Sequence, residues 1–195
     1  ETLEAGNRCV DERIGLPAFA FRLHQFIGRG DLVYASLESP ETRYLTVNGQ
    51  QFVPNDKNKK LFPLAFCREC GQEYYLVRRS GEDSCDLCSY APRELSDVAS
   101  NDDGTPGFLY HAPDNPWPET FDPARFPEDW LEIGANKAQL KNNVRENQPQ
   151  ISRVDPLGKE TPSGLAMAFY KAPFRFCLHC GVSFEARLKS DFPKL

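Results

Sequence analysis

The sequence has few of the residues and motifs on which most catalytic sites depend. Only three of its 195 residues are histidines, and one is a methionine. No nucleophile motif accompanies the histidines, so Ser/His/Asp or Cys/His catalysis is not indicated. A glycine-rich phosphate loop ending in Gly-Lys-Ser/Thr is also missing from the sequence, which excludes ATP binding of that type.

Long apolar runs are missing as well. No run in the sequence is long enough to span a membrane, and we expect no secretory leader in a chain that begins at Glu1. Mean hydropathy is low, at -0.55, and sixteen prolines interrupt long elements. We therefore expect a segment of a longer soluble protein, without contact to a membrane.

Charge of one sign does not dominate the chain as a whole. The formal net charge is -5, which excludes a uniformly basic nucleic-acid-binding domain. The charges are divided along the chain, because residues 94–132 hold ten acidic residues and a single basic one, Arg125. Residues 133–195 hold ten basic and five acidic residues. A basic face is therefore possible only in the C-terminal part.

Cysteine is the residue type with the most informative spacing. Six of the seven cysteines form three Cys-x-x-Cys pairs, and Cys9 is left over. Pairs of this kind suit metal binding in a reducing compartment better than a disulfide framework. We therefore expect a cytoplasmic protein that binds a metal ion.

Two of the three pairs are near-duplicates. The first knuckle (residues 66–74) and the second knuckle (residues 176–184) share the order aromatic, Cys, two residues, Cys, Gly, two residues, aromatic. A Cys-x-x-Cys-Gly turn points two thiolates at one centre, and its glycine allows a backbone conformation that a side chain disfavours. Two such turns supply the four ligands of a structural zinc ion, and we assign them to Cys67, Cys70, Cys177 and Cys180. Four thiolates close the shell, so no position remains for a catalytic water.

The third pair, Cys85 and Cys88, leaves an alternative open. It lacks the trailing glycine and the flanking aromatic residues. Together with Cys67 and Cys70 it would also make a compact set of four thiolates, because short separations are common in zinc sites. A thiol redox enzyme is a further alternative, but it needs a low-pKa cysteine at the start of a helix. Both knuckles lie instead between strand-like segments.

The remaining pattern predicts an α+β fold that is mostly β, with short antiparallel strands, a four-cysteine zinc ribbon and long loops. Residues 18–27 show the apolar spacing of a helix. Strand-like segments lie at residues 32–37, 61–66, 73–79, 164–171 and 174–176. Residues 43–47 and 51–53 flank Asn48-Gly49, a dipeptide typical of a type I′ hairpin.

We expect residues 1–195 to form a single zinc-binding domain, with a loose N-terminus over residues 1–15. Between residues 81 and 160 the strand pattern fades, which predicts an acidic, loop-rich insertion. Its stretch 101–127 is rich in Asp, Asn, Gly and Pro and is expected to form long loops with isolated aromatic anchors. Residues 127–131 are predicted to form a single helical turn.

Both ends of the chain resemble a known group of proteins. Residues 16–17, 21–26, 32–35 and 66–71 resemble a segment of large bacterial superfamily-2 DEAD/DEAH-box helicases, a group with metal-binding cysteine clusters. Residues 174–181 and 189–195 resemble the lead-in to the second RecA-like motor domain of that group. The likeness spans about residues 16–79 and 164–195, and the acidic middle is not part of it.

The resemblance implies an accessory segment between the two motor domains of an ATP-dependent DNA helicase. It implies that the four knuckle cysteines are metal ligands, and it carries over no catalytic residue. ATP and Mg²⁺ would bind only in the motor domains, which would be partners within the same chain. Single-stranded DNA is a further expected partner, whereas a small-molecule substrate is not expected. Cys85 and Cys88 depart from the pattern of the group.

Two functions are compatible with these observations. The first is a zinc-stabilised accessory domain of a helicase, without catalysis of its own, which braces the motor domains or guides a nucleic-acid strand. Its candidate DNA contacts are the bases near the second knuckle, namely Lys171, Arg175, Arg187 and Lys189. The alternative is a protein-interaction module that docks a partner subunit through the acidic middle of the chain, which carries isolated aromatic residues.

Overall fold

A computed structural model describes residues 10–11, 16–17, 32–81, 88–94, 104–134 and 137–184. The strands in chain order are β1 Val10–Asp11, β2 Leu16–Pro17, β3 Tyr34–Ser36, β4 Leu45–Thr46, β5 Phe52–Val53, β6 Asp56–Phe66, β7 Glu73–Ser80, β8 Ser89–Pro92, β9 Thr105–Tyr110, β10 Leu131–Ile133, β11 Ala138–Leu140, β12 Gln150–Val154 and β13 Leu165–Lys171. Single turns of 3-10 helix lie at Pro123–Arg125, Glu128–Trp130 and Arg145–Asn147. No helix in these ranges is long and apolar enough to cross a membrane.

Most of the strands belong to one antiparallel sheet. Its order is β12-β13-β9-β7-β6-β3-β4, while β5 pairs with β6 and β8 pairs with β7. Two further pairs, β1 with β2 and β10 with β11, form separate two-stranded sheets. This architecture confirms the predicted class, a mostly β fold of short antiparallel strands with a cluster of four cysteines.

Strand β7 shows how both faces of the large sheet become covered. Its residues 74–77 are all buried, and successive side chains of a strand point to opposite faces. Tyr74 and Leu76 join one hydrophobic cluster, and Tyr75 and Val77 join the other. The first cluster also contains buried cysteines of both knuckles and aromatic residues of segment 117–130, so we call this side of the sheet the knuckle face.

Several predicted elements are confirmed. Strands β6, β7 and β13 lie where strands were predicted on either side of the first knuckle and before the second, and β3 lies within the predicted segment 32–37. The helical turn predicted at residues 127–131 is the 3-10 turn Glu128–Trp130. At residues 174–176, by contrast, the structure has only an isolated bridge between Phe176 and Ser183. The predicted helix at residues 18–27 lies outside the described residues, as does most of the predicted loose N-terminus.

The hairpin predicted at Asn48-Gly49 was wrong. Strand β4, before this dipeptide, pairs with β3, and β5, after it, pairs with β6. A type I′ turn needs positive φ at both central residues, and neither Asn48 nor Gly49 has it. The left-handed conformation is found instead at Asn55, with φ 64°, between β5 and β6. The tight turn of this region therefore lies at Pro54-Asn55, where Val53 pairs with Asp56, and not at Asn48-Gly49.

The expectation of long loops over residues 101–127 was wrong at β9. This strand lies between β13 and β7, near the middle of the sheet, although it contains Pro106 and Gly107. The glycine is needed there, because a Cβ at residue 107 would lie 2.4 Å from the ring of Phe169. Strands β8 and β12, also within residues 81–160, were not predicted. The boundaries of the single domain and of its insertion stay a prediction.

Candidate metal centre

The first knuckle is the turn that connects β6 to β7. The Cys67 backbone N–H donates to the Gln72 carbonyl at 2.8 Å, and the Gly71 N–H donates to the Cys67 carbonyl at 2.7 Å. Gly71 has φ 77°, in the left-handed region where a Cβ is unfavourable. These bonds fold the loop back so that both of its thiols project from one side of the turn.

The second knuckle repeats this geometry in a different setting. The Cys177 N–H donates to the Val182 carbonyl at 2.9 Å, and the Gly181 N–H donates to the Cys177 carbonyl at 2.8 Å. Gly181 has φ 74°. This turn follows β13 after a short connection, and in the part of the chain described up to residue 184 an isolated bridge between Phe176 and Ser183 lies across it. The duplicated sequence pattern is therefore also a duplicated backbone structure.

The sulfur atoms of the two knuckles meet in one cluster. The Sγ atoms of Cys67, Cys70, Cys177 and Cys180 all lie within 4.8 Å of one another. Cys67 Sγ is 4.0 Å from Cys180 Sγ, and Cys70 Sγ is 3.7 Å from Cys177 Sγ. Four sulfurs at the metal–sulfur distance of about 2.3 Å form a tetrahedron with edges of about 3.8 Å. The cluster therefore fits a four-coordinate metal ion.

Burial divides the four thiols into two kinds. Cys67 and Cys177 are buried, whereas Cys70 and Cys180 are exposed, so each knuckle contributes one inner and one outer ligand. Burial raises the pKa of the Cys177 thiol. The pKa of Cys70 is also raised, by partial desolvation of its thiol and by hydrogen bonds with Cys180 and Cys67, although the residue as a whole is exposed. Burial acts in the same direction on Cys67, but hydrogen bonds from the backbone of Cys70 and Glu69 outweigh it and lower its pKa. A bound cation would stabilise all four thiolates together.

Tyr74 connects the first knuckle to a ligand of the second. Its hydroxyl lies 3.1 Å from Cys177 Sγ and accepts the Leu178 backbone N–H at 2.8 Å. A thiolate has no proton to give, so in the metal-bound state the tyrosine hydroxyl donates to Cys177. Tyr74 ends the aromatic-to-aromatic pattern of the first knuckle, but its contact with a cysteine of the second knuckle was not predicted.

Phe184, the last aromatic residue of the second knuckle, contacts the first knuckle in turn. The guanidinium of Arg68, which lies between the two cysteines of the first knuckle, is 5.3 Å from the ring centroid of Phe184. The Phe184 backbone N–H also donates a hydrogen bond to the Arg175 carbonyl at 2.7 Å. Each knuckle therefore supplies a trailing aromatic side chain that contacts the other knuckle.

Arg125, which belongs to the acidic segment 94–132, forms a hydrogen bond with the backbone of the second knuckle. Its Nη2 donates to the Leu178 carbonyl at 2.8 Å, and its Nη1 donates to Asn115 Oδ1 at 2.6 Å. Asn115 in turn donates to the His179 carbonyl at 3.1 Å. The guanidinium also lies 5.0 Å from the ring centroid of Trp117. The sequence signal for this role was the presence of a single base within a run of acids.

The alternative ligand pair is not brought to the cluster within the described residues. Cys85 lies outside those residues, and Cys88 is buried near the far end of β7, where Arg79 Nη2 donates to its Sγ at 3.3 Å. Arg79 is six residues beyond Glu73, which begins β7 next to the first knuckle, and that separation corresponds to about 20 Å of strand. The arrangement favours Cys177 and Cys180 as the partners of the first knuckle.

The candidate DNA contacts are only partly described. Lys171 is exposed at the end of β13, and Arg175 is half-buried four residues later. The Nε atom of Arg175 is buried and has no hydrogen-bond partner among the described residues. Arg187 and Lys189 lie outside those residues. The structure therefore places one of the four candidates on an open surface beside the second knuckle.

Comparison with known proteins adds no relative to these observations. No family model matches the chain, and no curated protein or solved structure matches it significantly. The fold, the cysteine cluster and the surfaces around it are therefore the basis for the functional proposals.

Proposed function

We propose that Cys67, Cys70, Cys177 and Cys180 bind one zinc ion and that this ion has a structural role. The observation that carries the proposal is the meeting of four cysteine sulfurs at the spacing of a tetrahedron. Four thiolates at such a spacing are typical of closed structural zinc sites. His111 and His179 lie near Cys70, but neither is needed to complete a shell of four ligands.

The proposed zinc would join parts of the chain that are distant in sequence. The first knuckle is the β6–β7 turn, and the second knuckle begins more than a hundred residues later, after β13. Closing a long loop costs entropy, which the metal–ligand bonds would offset. Because the zinc would have no open position, it would brace the sheet and would not activate water.

Metal analysis of the purified, dialysed protein tests the zinc proposal. We expect one zinc per chain and no iron. A protein that is folded without a metal, or that holds iron in place of zinc, would contradict it. Reconstitution of the chelated protein with zinc should restore the folded state, which excludes a metal bound only to exposed groups.

We further propose that the zinc-braced sheet is an accessory domain of an ATP-dependent DNA helicase, placed between its motor domains. The resemblance of the two chain ends to DEAD/DEAH-box helicases supports this proposal, and so does a closed site with no catalytic function. The chain itself has no phosphate loop, so hydrolysis would be left to the motor domains.

A salt titration of single-stranded DNA binding tests the nucleic-acid part of this proposal. We expect weak binding that falls with salt, together with no ATP hydrolysis by the chain alone. The double variant Lys171→Glu, Arg187→Glu should reduce the salt slope by about two units, because each lost phosphate contact removes about one. The control is Lys159→Glu, an exposed base on the loop between β12 and β13. An unchanged slope in the double variant would remove this face from consideration.

A further inference from the structure

Two adjoining cavities form a groove beside strand β12. Their volumes are about 270 and 290 Å³. Trp117, Glu119 and Ile151 line both cavities, so the two spaces are continuous along one surface of the protein. We call this surface the β12 groove. It is separate from the metal cluster, because no cysteine lines either cavity.

The floor of the groove is the uncovered margin of the knuckle face. Ile151 pairs with Ala168, which pairs with Tyr110 on the next strand, and all three residues line the second cavity. β12 is the last strand in the sheet order, and Trp117 and Glu119 of the segment that covers the knuckle face line both cavities together with Ile151 of β12. The apolar surface therefore continues beyond the part that the chain itself buries in the described ranges.

The aromatic residues of the groove are held in place from inside. Trp117 is buried, and its ring packs edge-on against Phe126 at 5.3 Å and lies 6.0 Å from Phe176, next to the second knuckle. Phe121 is exposed, but its ring is stacked on Phe126 at 5.4 Å. Rings fixed in this way form a binding surface that does not have to be ordered when a ligand arrives.

The walls favour an extended ligand. Four prolines line the cavities, namely Pro113, Pro116, Pro118 and Pro149. Grooves lined by aromatic residues recognise extended, proline-containing peptides, because such peptides lose little entropy on binding. The combined length of two adjoining cavities suits several residues of an extended chain better than a single compact molecule.

The charges that line the groove favour a ligand of positive charge. Glu119 lines both cavities and Asp122 lines one, whereas among the described residues no lysine or arginine lines either. Residues 104–134 contain six acids and one base, Arg125, whose guanidinium donates to the Leu178 carbonyl, to Asn115 Oδ1 and to the Pro116 carbonyl. On β12 the exposed base Arg153 pairs with Ala166, which lines the second cavity. In the first cavity, which both Glu119 and Asp122 line, these carboxylates therefore repel phosphate groups and attract lysine and arginine side chains.

We propose that the β12 groove binds an extended, proline-containing basic peptide of a partner protein. Proline or other apolar side chains of the peptide would pack on Trp117, Phe121 and Ile151. Its basic side chains would lie beside Glu119 and Asp122. The groove does not depend on the identity of the metal, so this binding is tested separately from the zinc site.

Fluorescence anisotropy with labelled synthetic peptides tests the proposal on the full, metal-loaded chain. The probe is a peptide of Pro-Pro-Arg repeats. Matched peptides carry Glu in place of Arg, or Gly in place of Pro, so that charge and backbone stiffness are tested separately. We expect the Pro-Pro-Arg peptide to bind at least about 10-fold more tightly than either control, a difference of about 1.4 kcal/mol. Equal binding of the Pro-Pro-Glu peptide would overturn the proposal.

Paired variants locate the binding. Ile151→Asp should weaken binding of the Pro-Pro-Arg peptide about 10-fold or more, whereas Ile133→Asp should not, although Ile133 is 93% exposed and Ile151 only 40%. Glu119→Lys should weaken peptide binding by a similar factor. Glu128→Lys, at an exposed acid that lines neither cavity, should weaken it less. Glu119 is exposed, so this pair remains informative if Ile151→Asp fails to fold.

Other occupants of the groove would give distinct results. Self-association that is abolished by Ile151→Asp would identify a second copy of the chain as the occupant, and would contradict the peptide proposal. Single-stranded DNA that binds the chain in competition with the peptide, and more tightly in Glu119→Lys, would contradict it as well. Equal losses in the groove variants and their controls would show that no specific site is present.

Discussion

The two knuckles have the same local structure but are held in place by different means. The first is a tight turn between β6 and β7, so strand pairing fixes both of its ends, at Phe66 and Glu73. The second follows a short connection after β13, and up to residue 184 the bonds described across its ends are one isolated bridge and the bond from the Phe184 N–H to the Arg175 carbonyl. Its position depends on side chains from elsewhere, namely Tyr74, Asn115 and Arg125. A local motif can therefore be duplicated while its tertiary support is not.

The largest expected effect comes from removing an inner ligand of the second knuckle. Cys177→Ser should abolish stoichiometric zinc binding and unfold the domain, because a structural zinc contributes on the order of 10 kcal/mol to folding. Cys88→Ser is the matched control, since Cys88 is also buried but lies beside Arg79. Zinc content and circular dichroism measure both effects. Equal loss of zinc from the two variants would favour the alternative ligand pair.

The next effect tests the support from the acidic segment. Arg125→Met should lower the free energy of unfolding by about 2 kcal/mol, because it removes charge-assisted hydrogen bonds to the Leu178 carbonyl and to Asn115. The variant should also release zinc to a chelator faster, since the backbone of the second knuckle loses its hydrogen bond from Arg125. Arg145→Met, at an exposed base on a 3-10 turn, is the control. Identical release rates in both variants would mean that Arg125 does not support the second knuckle.

Tyr74→Phe separates packing from the contact with the metal ligand. The ring is kept, but the Leu178 N–H loses its acceptor and Cys177 loses its donor, which should cost about 1–2 kcal/mol of unfolding free energy. Tyr75→Phe is a close control, because Tyr75 is equally buried on the opposite face and its hydroxyl donates to the Ser36 carbonyl. Denaturant unfolding should show similar losses in the two variants, but only Tyr74→Phe should release zinc faster. Faster release in both would indicate a general loss of stability.

The smallest effect tests whether the two turns are locally equivalent. Gly71→Ala and Gly181→Ala should each cost about 1 kcal/mol, because both glycines have left-handed φ and a Cβ at either position meets no other atom within 4 Å. The cost should therefore be the same in both knuckles, unlike the losses caused by changes to their tertiary support. A clearly larger loss at Gly181 in thermal unfolding would show that the second turn has a local weakness of its own.

What the sequence could predict follows the same division between local and tertiary structure. The knuckles and the strands next to them are encoded by short patterns, so the four cysteines and strands β6, β7 and β13 could be predicted. Strand β9 could not, because its Pro106 and Gly107 are typical of loops, and the need for a glycine at residue 107 comes from the close approach of Phe169 on another strand. The roles of Tyr74 and Arg125 depend on contacts that span more than fifty residues. No local pattern contains that information.

X-ray absorption at the zinc K-edge of the wild-type protein tests the central claim most directly. The claim is that both knuckles bind the same metal ion through all four of their cysteines. We expect one zinc per chain surrounded by four sulfur atoms at about 2.3 Å, with no nitrogen or oxygen in the first shell. Two or three sulfurs accompanied by lighter atoms, or sulfur coordination that persists unchanged in Cys177→Ser, would contradict it.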